Sequence, residues 1–426
     1  MNTAKTLLAI ALSTACANAM AAEQIGAVYA SSNKAEGNTI VAFKQMSDGS
    51  LTTLGEFKSG GKGTGNIEIF DGGYDPTHPL ADGIDPLISA YGVYNTEDKK
   101  HLLTVNSGDG TISSFNVADD FKLKLVNTVK ASDIHPVSIA SKGKLVYVAS
   151  SGDAKAPPFS GNISGFTIDA AGKLTPIANS TRNLGARPTT IVFSTDGKFV
   201  VVNELVTGQF KVFAVNADGT LSKEPVSVAS APNGDSSRAL PIPVGFDIVK
   251  GAKGDIIVAS EARFLDKKGM LREEAGKVPQ SPKYSWQTSS SSSYTLDGKG
   301  QIKLVTADAL TGDAVEGGEI ANCWVETSRD GKTLWAANAL SSSISAYTIN
   351  PDGSIALKTA TAYKNEAEMD FYSDLTLSAD GKYINQLIGN KGEVTVFKVG
   401  ADGFTLTPVG TYGGLPKIGA YGIISL

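Results

Sequence analysis

The sequence predicts an all-β fold, a seven-bladed β-propeller with four antiparallel strands per blade. Three observations predict it: a strand–turn unit that recurs along the chain, a spacing that suits blades, and two chain ends that complete one another. The unit is clearest from residue 187. "RPTTIVFSTDGKFVVVNEL" holds two apolar runs around an Asp-Gly turn, followed by "QFKVFAV", a second turn "NADGT" and the polar run "LSKEPVSV". Tight hairpins need positive φ, which glycine adopts without steric cost.

The same order returns in "ISAYGVYNTEDKKHLLTVNSGDGTISSFNV", in "VSIASKGKLVYVASSG" with "GNISGFTIDAAGKL", and in "VGFDIVKGAKGDIIVASEAR". It returns again in "CWVETSRDGKTLWAANALSSSISAYTINPDGSI" and "SDLTLSADGKYINQLIGNKGEVTVFKVGADGFTL". An aromatic residue closes the third strand of each unit, at Phe43, Phe115, Phe166, Phe213, Tyr294, Tyr347 and Phe397. Most of these are about 50 residues apart, and two intervals reach about 70 and 80, a period that fits propeller blades. The stretch after residue 21 begins like a second strand, "IGAVYASSN", and the chain ends like a first strand, "GAYGIISL". Paired, they complete the seventh sheet and remove the open edges that invite aggregation.

Composition narrows the function classes. The chain is 41% hydrophobic and 19% charged, with a net charge of −5, so it has no overall basic character for nucleic acid. An anionic ligand would have to be held by locally placed cations. Residues 1–21 read as a secretory signal: Lys5, the apolar run "TLLAIALSTACANA", and small residues before Ala21. Lipidation at Cys16 is disfavoured, because Ser13 stands where a large aliphatic residue is expected. Past residue 21 only Cys323 remains, which excludes an intramolecular disulfide there, and its run "ANCWVETS" suits a buried, inert thiol. No later run is apolar enough to span a bilayer, so the expectation is a periplasmic or secreted protein with residues 22–426 forming one propeller domain. No CxxCH or P-loop stretch occurs, and no cofactor is expected.

Two insertions interrupt the repeat. Residues 59–86 separate the first and second blades, and residues 264–286 lie inside the fifth; segments of this length suit lids or surface loops. Asp71, Asp75, Asp82 and Asp85 make the first acidic, but their spacing matches no calcium loop. His78 falls in it, and His101 belongs to a charged turn.

Candidate site residues follow from the register. Arg187 lies nine positions before the turn centre at Asp196 and Glu204 eight after it, so both emerge at the open end of the hairpin. "HPVSIASKGKLVYVAS" aligns with the same unit and puts His135 where Arg187 stands, each followed by proline. In the fifth blade Glu261 aligns with Glu204, and Arg263 follows two positions later. His135, Arg187, Glu204 and Arg263 thus come from three consecutive blades and are expected on one face of the ring. Guanidinium groups bind a carboxylate or phosphate and stabilise developing negative charge. A histidine can take a proton from water near neutral pH, and a glutamate can orient either group. The bland alternatives are a histidine capping a strand, an Arg187–Glu204 pair closing a hairpin, and a solvated loop arginine at 263.

These segments resemble the seven-bladed propeller lactonase family, which includes a 6-phosphogluconolactonase type and the carboxymuconate cyclases. The similarity runs through "FSTDGKFVVVNEL", "TSRDGKTLWAAN" and "ISAYTINPDGSI", and "GTGN", "DPLISAYG" and "ASEAR" resemble an exported branch. The resemblance implies a cofactor-independent lactonase or lactonising enzyme acting on a small anionic lactone. It implies catalytic roles for His135, Arg187, Glu204 and Arg263, with Arg187, Arg263 and Glu261 contacting substrate. The arginine is offset: Glu261 fills the place where cytosolic members carry it. Two alternatives stand beside this. One is a calcium-dependent lactonase using Glu204 with Asn106, Asn203 and Asn338; the other is a propeller that binds or scaffolds without catalysis.

Overall fold

A computed structural model describes residues 22–66, 84–152, 160–185, 187–233, 238–265, 287–312 and 318–426. Residues 1–21, read above as a signal, together with His78, Asp71, Asp75, Asp82 and most of both insertions, lie outside these residues. The described chain forms seven antiparallel sheets, each built on a four-strand path. Among the described residues the one helical element is the short 3-10 turn Ala339–Ser341.

The ring closes as expected. In blade 1 the order is Leu51–Lys58, Thr39–Met46, Gln24–Ser31, then Tyr421–Ser425, with Val28 opposite Ser425. Blades 2 to 7 follow in chain order. Their innermost strands are Val93–Asn95, Pro136–Lys142, Pro188–Phe193, Phe246–Lys250, Asn322–Thr327 and Tyr372–Leu377. Each inner strand starts on one face of the ring, here the upper face, and runs to a hairpin turn on the lower face.

The Asp-Gly turns show why the repeat is written as it is. In "STDGK", "SRDGK" and "SADGK" the serine hydroxyl donates to the aspartate, as Ser194 to Asp196 at 2.9 Å, Ser328 to Asp330 at 2.7 Å and Ser378 to Asp380 at 2.8 Å. The same serine oxygens accept the amides of Phe199, Thr333 and Tyr383. Gly197, Gly331 and Gly381 take φ of 73, 68 and 74°, the region that excludes most side chains. The seven third-strand aromatics are all buried, none more than 2% exposed. Five of them, Phe43, Phe115, Tyr294, Tyr347 and Phe397, follow a register shift against the fourth strand. The bulge turns a large ring inward, and each such burial stabilises by roughly 1.5–3 kcal/mol.

One element departs from expectation. The inner strand of blade 2 covers only Val93–Asn95, whereas the run from Ile88 reads as strand in the sequence. Ile88 and Tyr91 take φ of 49 and 61°, which breaks the extended run. Residues 84–91 instead cross the axis of the ring. Ser89 donates its hydroxyl to the Val137 carbonyl at 2.8 Å, its amide to the Tyr421 hydroxyl at 2.7 Å, and its carbonyl accepts the Trp324 indole at 2.7 Å. Ala90 donates to the Thr190 hydroxyl at 3.1 Å. A Cβ on Gly245 would lie 3.5 Å from that of Ala90, and one on Gly389 would lie 2.9 Å from the Ile84 carbonyl. The tail of the first insertion and the residues after it therefore touch blades 1, 3, 4, 5, 6 and 7 before joining blade 2. The channel is plugged by its own chain.

Candidate functional site

His135 and Arg187 stand directly before the inner strands of blades 3 and 4, on the upper face. Proline at 136 and 188 fixes φ where a strand begins and no amide donor is needed. The two starts are level, because the Ile191 amide donates to the Ser138 hydroxyl at 3.2 Å between the strands.

His135 has a φ of 54°. Ala321, just before the inner strand of blade 6, has a φ of 59°, so this left-handed step belongs to the way some inner strands begin. The His135 Nδ1 lies 3.0 Å from the Ser107 carbonyl of blade 2. A carbonyl only accepts, so Nδ1 carries the proton and Nε2 is the basic nitrogen of the neutral ring.

Arg187 is buried, 2% exposed, and its carbonyl accepts the Leu205 amide at 2.8 Å. Glu204 lies opposite Pro188 in the register and is fully buried. Its carboxylate accepts the Thr207 hydroxyl at 2.6 Å and pairs with Lys211. Among the described residues Lys211, on the third strand of the same blade, is its ion-pair partner.

Glu261 and Arg263 sit at the upper end of the second strand of blade 5, inside its wall. Arg263 is fully buried and donates to Asp308 at 2.7 Å, to the Ser290 hydroxyl at 2.9 Å and to the Ala239 carbonyl at 3.1 Å. Glu261 accepts the Ser290 hydroxyl at 2.6 Å and meets Arg263 at 3.4 Å. Burial pushes the Glu261 carboxyl up, and the Arg263 charge and the Ser290 hydroxyl pull the other way. Arg263 is therefore no solvated loop residue. Arg238 joins the same network, with NH1 donating to both Asp308 oxygens at 2.7 Å.

The calcium alternative meets a different geometry. Asn203 accepts from Thr189 and Thr190 and donates to the Pro243 and Val244 carbonyls. Asn106 accepts from Asn38 and Ser59 and donates to Thr111 and Ser113. Asn338 donates to Ser343 and Ser345. These amides bind strands together in separate blades and do not gather around a point. Among the described residues no group of three or more His, Cys, Asp or Glu side chains is placed to hold a metal ion.

The remaining singled-out residues fill structural places. His101 is buried with Nδ1 2.8 Å from Asn116 Oδ1 on the lower side, and Cys323 is a buried thiol pushed up by burial. Sequence reasoning missed Lys211, Asp308, Arg238 and the Ser107 carbonyl. Arg238 had a signal in "RALPIPV", which echoes the arginine-before-proline start of blade 4. The others are set by cross-strand register and by contacts between blades, which no local motif encodes.

Residues 139–239 match the family model described as Lactonase, 7-bladed beta-propeller. The resemblance is to the lactonase propellers. The matched stretch contains Arg187 and Glu204, with His135 and Arg263 flanking it. Solved structures support the same architecture over nearly the whole chain. A protein from Lactobacillus plantarum is 16% identical, with 95% of this chain and 99% of that one covered at a TM-score of 0.64. The Pseudomonas aeruginosa periplasmic gluconolactonase is 14% identical, with 93% and 98% covered at 0.62. A Bacteroides uniformis protein provisionally assigned as a 6-phosphogluconolactonase is 16% identical, with 95% and 100% covered at 0.61. At these identities the likeness is one of fold. No curated protein matches the sequence.

Proposed function

We propose that this chain is an exported, cofactor-independent lactone hydrolase, acting on a small anionic sugar or carboxylic-acid lactone at the upper face of the ring. The observation that carries the reading is the His135 imidazole, whose Nδ1 faces the Ser107 carbonyl at a strand start level with Arg187. Nε2 takes a proton from water, and the water oxygen adds to the lactone carbonyl. The positive field of Arg187 stabilises the resulting oxyanion. Collapse breaks the ring C–O bond, and His135 returns its proton to the departing alkoxide, giving the hydroxy acid. The Glu204–Lys211 pair and the Arg263–Asp308 network brace blades 4 and 5 from within.

Export is supported by residues 1–21, and the Pseudomonas protein of the same fold is named as periplasmic. Among the described residues no helix is long and apolar enough to cross a membrane. The test is a pH-stat panel of aldonolactones and related acid lactones on the protein lacking residues 1–21, beside His135→Asn. Hydrolysis above buffer that His135→Asn abolishes supports the reading. A panel without turnover would sink it and favour a propeller that only binds, a reading also consistent with the full burial of Arg263.

A further inference from the structure

The axial plug divides the ring into two mouths, and a cavity of about 400 Å3 opens on the lower one, away from His135 and Arg187. It lies among the lower ends of the inner strands of blades 1, 2, 5, 6 and 7. We propose that this lower cavity is a second binding site, for a small polyhydroxylated carboxylate.

Charge argues for the carboxylate. Lys99, Lys250 and Arg329 all line the cavity. Lys99 makes no ion pair among the described residues, and the exposed Lys250 ammonium reaches Asp255 only at 3.6 Å. Arg329 donates to the Ser378 carbonyl at 2.8 Å, which fixes its guanidinium beside the opening. The acids do not cancel these cations. Asp330 is held by Lys332 at 3.3 Å and by the Ser328 hydroxyl. Glu326 is pushed up to about 8, by burial first and by neighbouring Asp247 second, and even with both lining acids charged the three lining cations stay in excess. A protein of net charge −5 thus presents a net positive pocket here.

Hydroxyl-rich lining argues for the rest of the ligand. Glu326, Thr376 and Ser425 face the cavity from blades 6, 7 and 1. Glu326 accepts the Thr327 and Leu377 amides at 3.0 Å each, so its carboxyl is held in place. Hydroxyl groups beside a fixed carboxyl offer both donors and acceptors, as vicinal alcohols require. The cavity falls in the size range of small-molecule sites.

Isothermal titration of the protein lacking residues 1–21 with D-gluconate tests this, with sorbitol and propionate as probes of the two halves of the ligand. Gluconate is expected to bind at least about tenfold more tightly than either, a gap typical of one added charge-assisted contact. Lys250→Glu combined with Arg329→Ala should weaken gluconate by about tenfold or more, while Lys303→Glu, a charge reversal on the exposed outermost strand of blade 5, leaves it unchanged. Both lower-mouth side chains are exposed, and Lys99→Glu gives an independent check should the double variant fold poorly. Absence of gluconate binding, sorbitol binding equally well, or loss with His135→Asn but not with the lower-mouth variants would each overturn the proposal. None of these outcomes depends on lactone turnover.

Discussion

The Arg263 guanidinium donates to the Asp308 carboxylate at 2.7 Å within the wall of blade 5, with the arginine side chain fully buried. A second arginine, Arg238, holds the same carboxylate from the segment leading into that blade. Removing the acid takes the nearest carboxylate from two buried arginines, and breaking such a group costs far more than an exposed pair. Asp308→Ala should lose about 3–5 kcal/mol of unfolding free energy in urea. A loss below about 1 kcal/mol would show that the network contributes little to stability.

Glu204 and Lys211 form a second internal pair, with the lysine 17% exposed and the acid fully buried. Glu204→Gln leaves the ammonium without its counter-charge and should cost about 1–3 kcal/mol. Adding Lys211→Met to it should restore part of that loss, and a double-mutant cycle measures the coupling. Strictly additive losses would contradict a direct interaction.

His135 is expected to matter for rate and not for folding. Its left-handed φ suits asparagine, so His135→Asn should keep the melting temperature within a few degrees. Lactone hydrolysis should fall by about 10²–10⁴-fold, the range for losing a general base. An unchanged rate would remove the imidazole from the mechanism.

Asp85 and Asp374 titrate high, each pushed up to about 7, chiefly by burial in the plugged channel. A carboxyl with a raised folded value holds a proton that the unfolded chain has already released. Its stabilising contribution is therefore fully present below the ordinary aspartate range and lost as pH rises through about 7. Denaturation midpoints should fall between about pH 4 and pH 7, and Asp374→Asn should flatten that slope. Stability rising over this window would contradict the assignment.

The ring itself was legible because a propeller repeats its instructions. Asp-Gly turns, third-strand aromatics and complementary ends each recur, so any one unit can be checked against six others. Site positions were legible as far as strand register carries: His135, Arg187 and Glu204 fall where hairpin counting puts them. Partner choice was not, because Glu204 takes a lysine from the next strand and Arg263 an aspartate from the fourth. The plug was hidden for another reason. "DPLISAYG" has the apolar composition of a strand, and only the contacts of Ser89 and Ala90 with distant blades make it cross the axis.

That crossing has a consequence in time. The hydrogen bond between Ser89 and Tyr421 joins residues 332 apart in sequence, so forming it closes nearly the whole chain into a loop. Its partners stand in the first, third and sixth sheets, so the segment seats fully only after those sheets exist. Docking of Ser89 thus belongs among the last events of maturation.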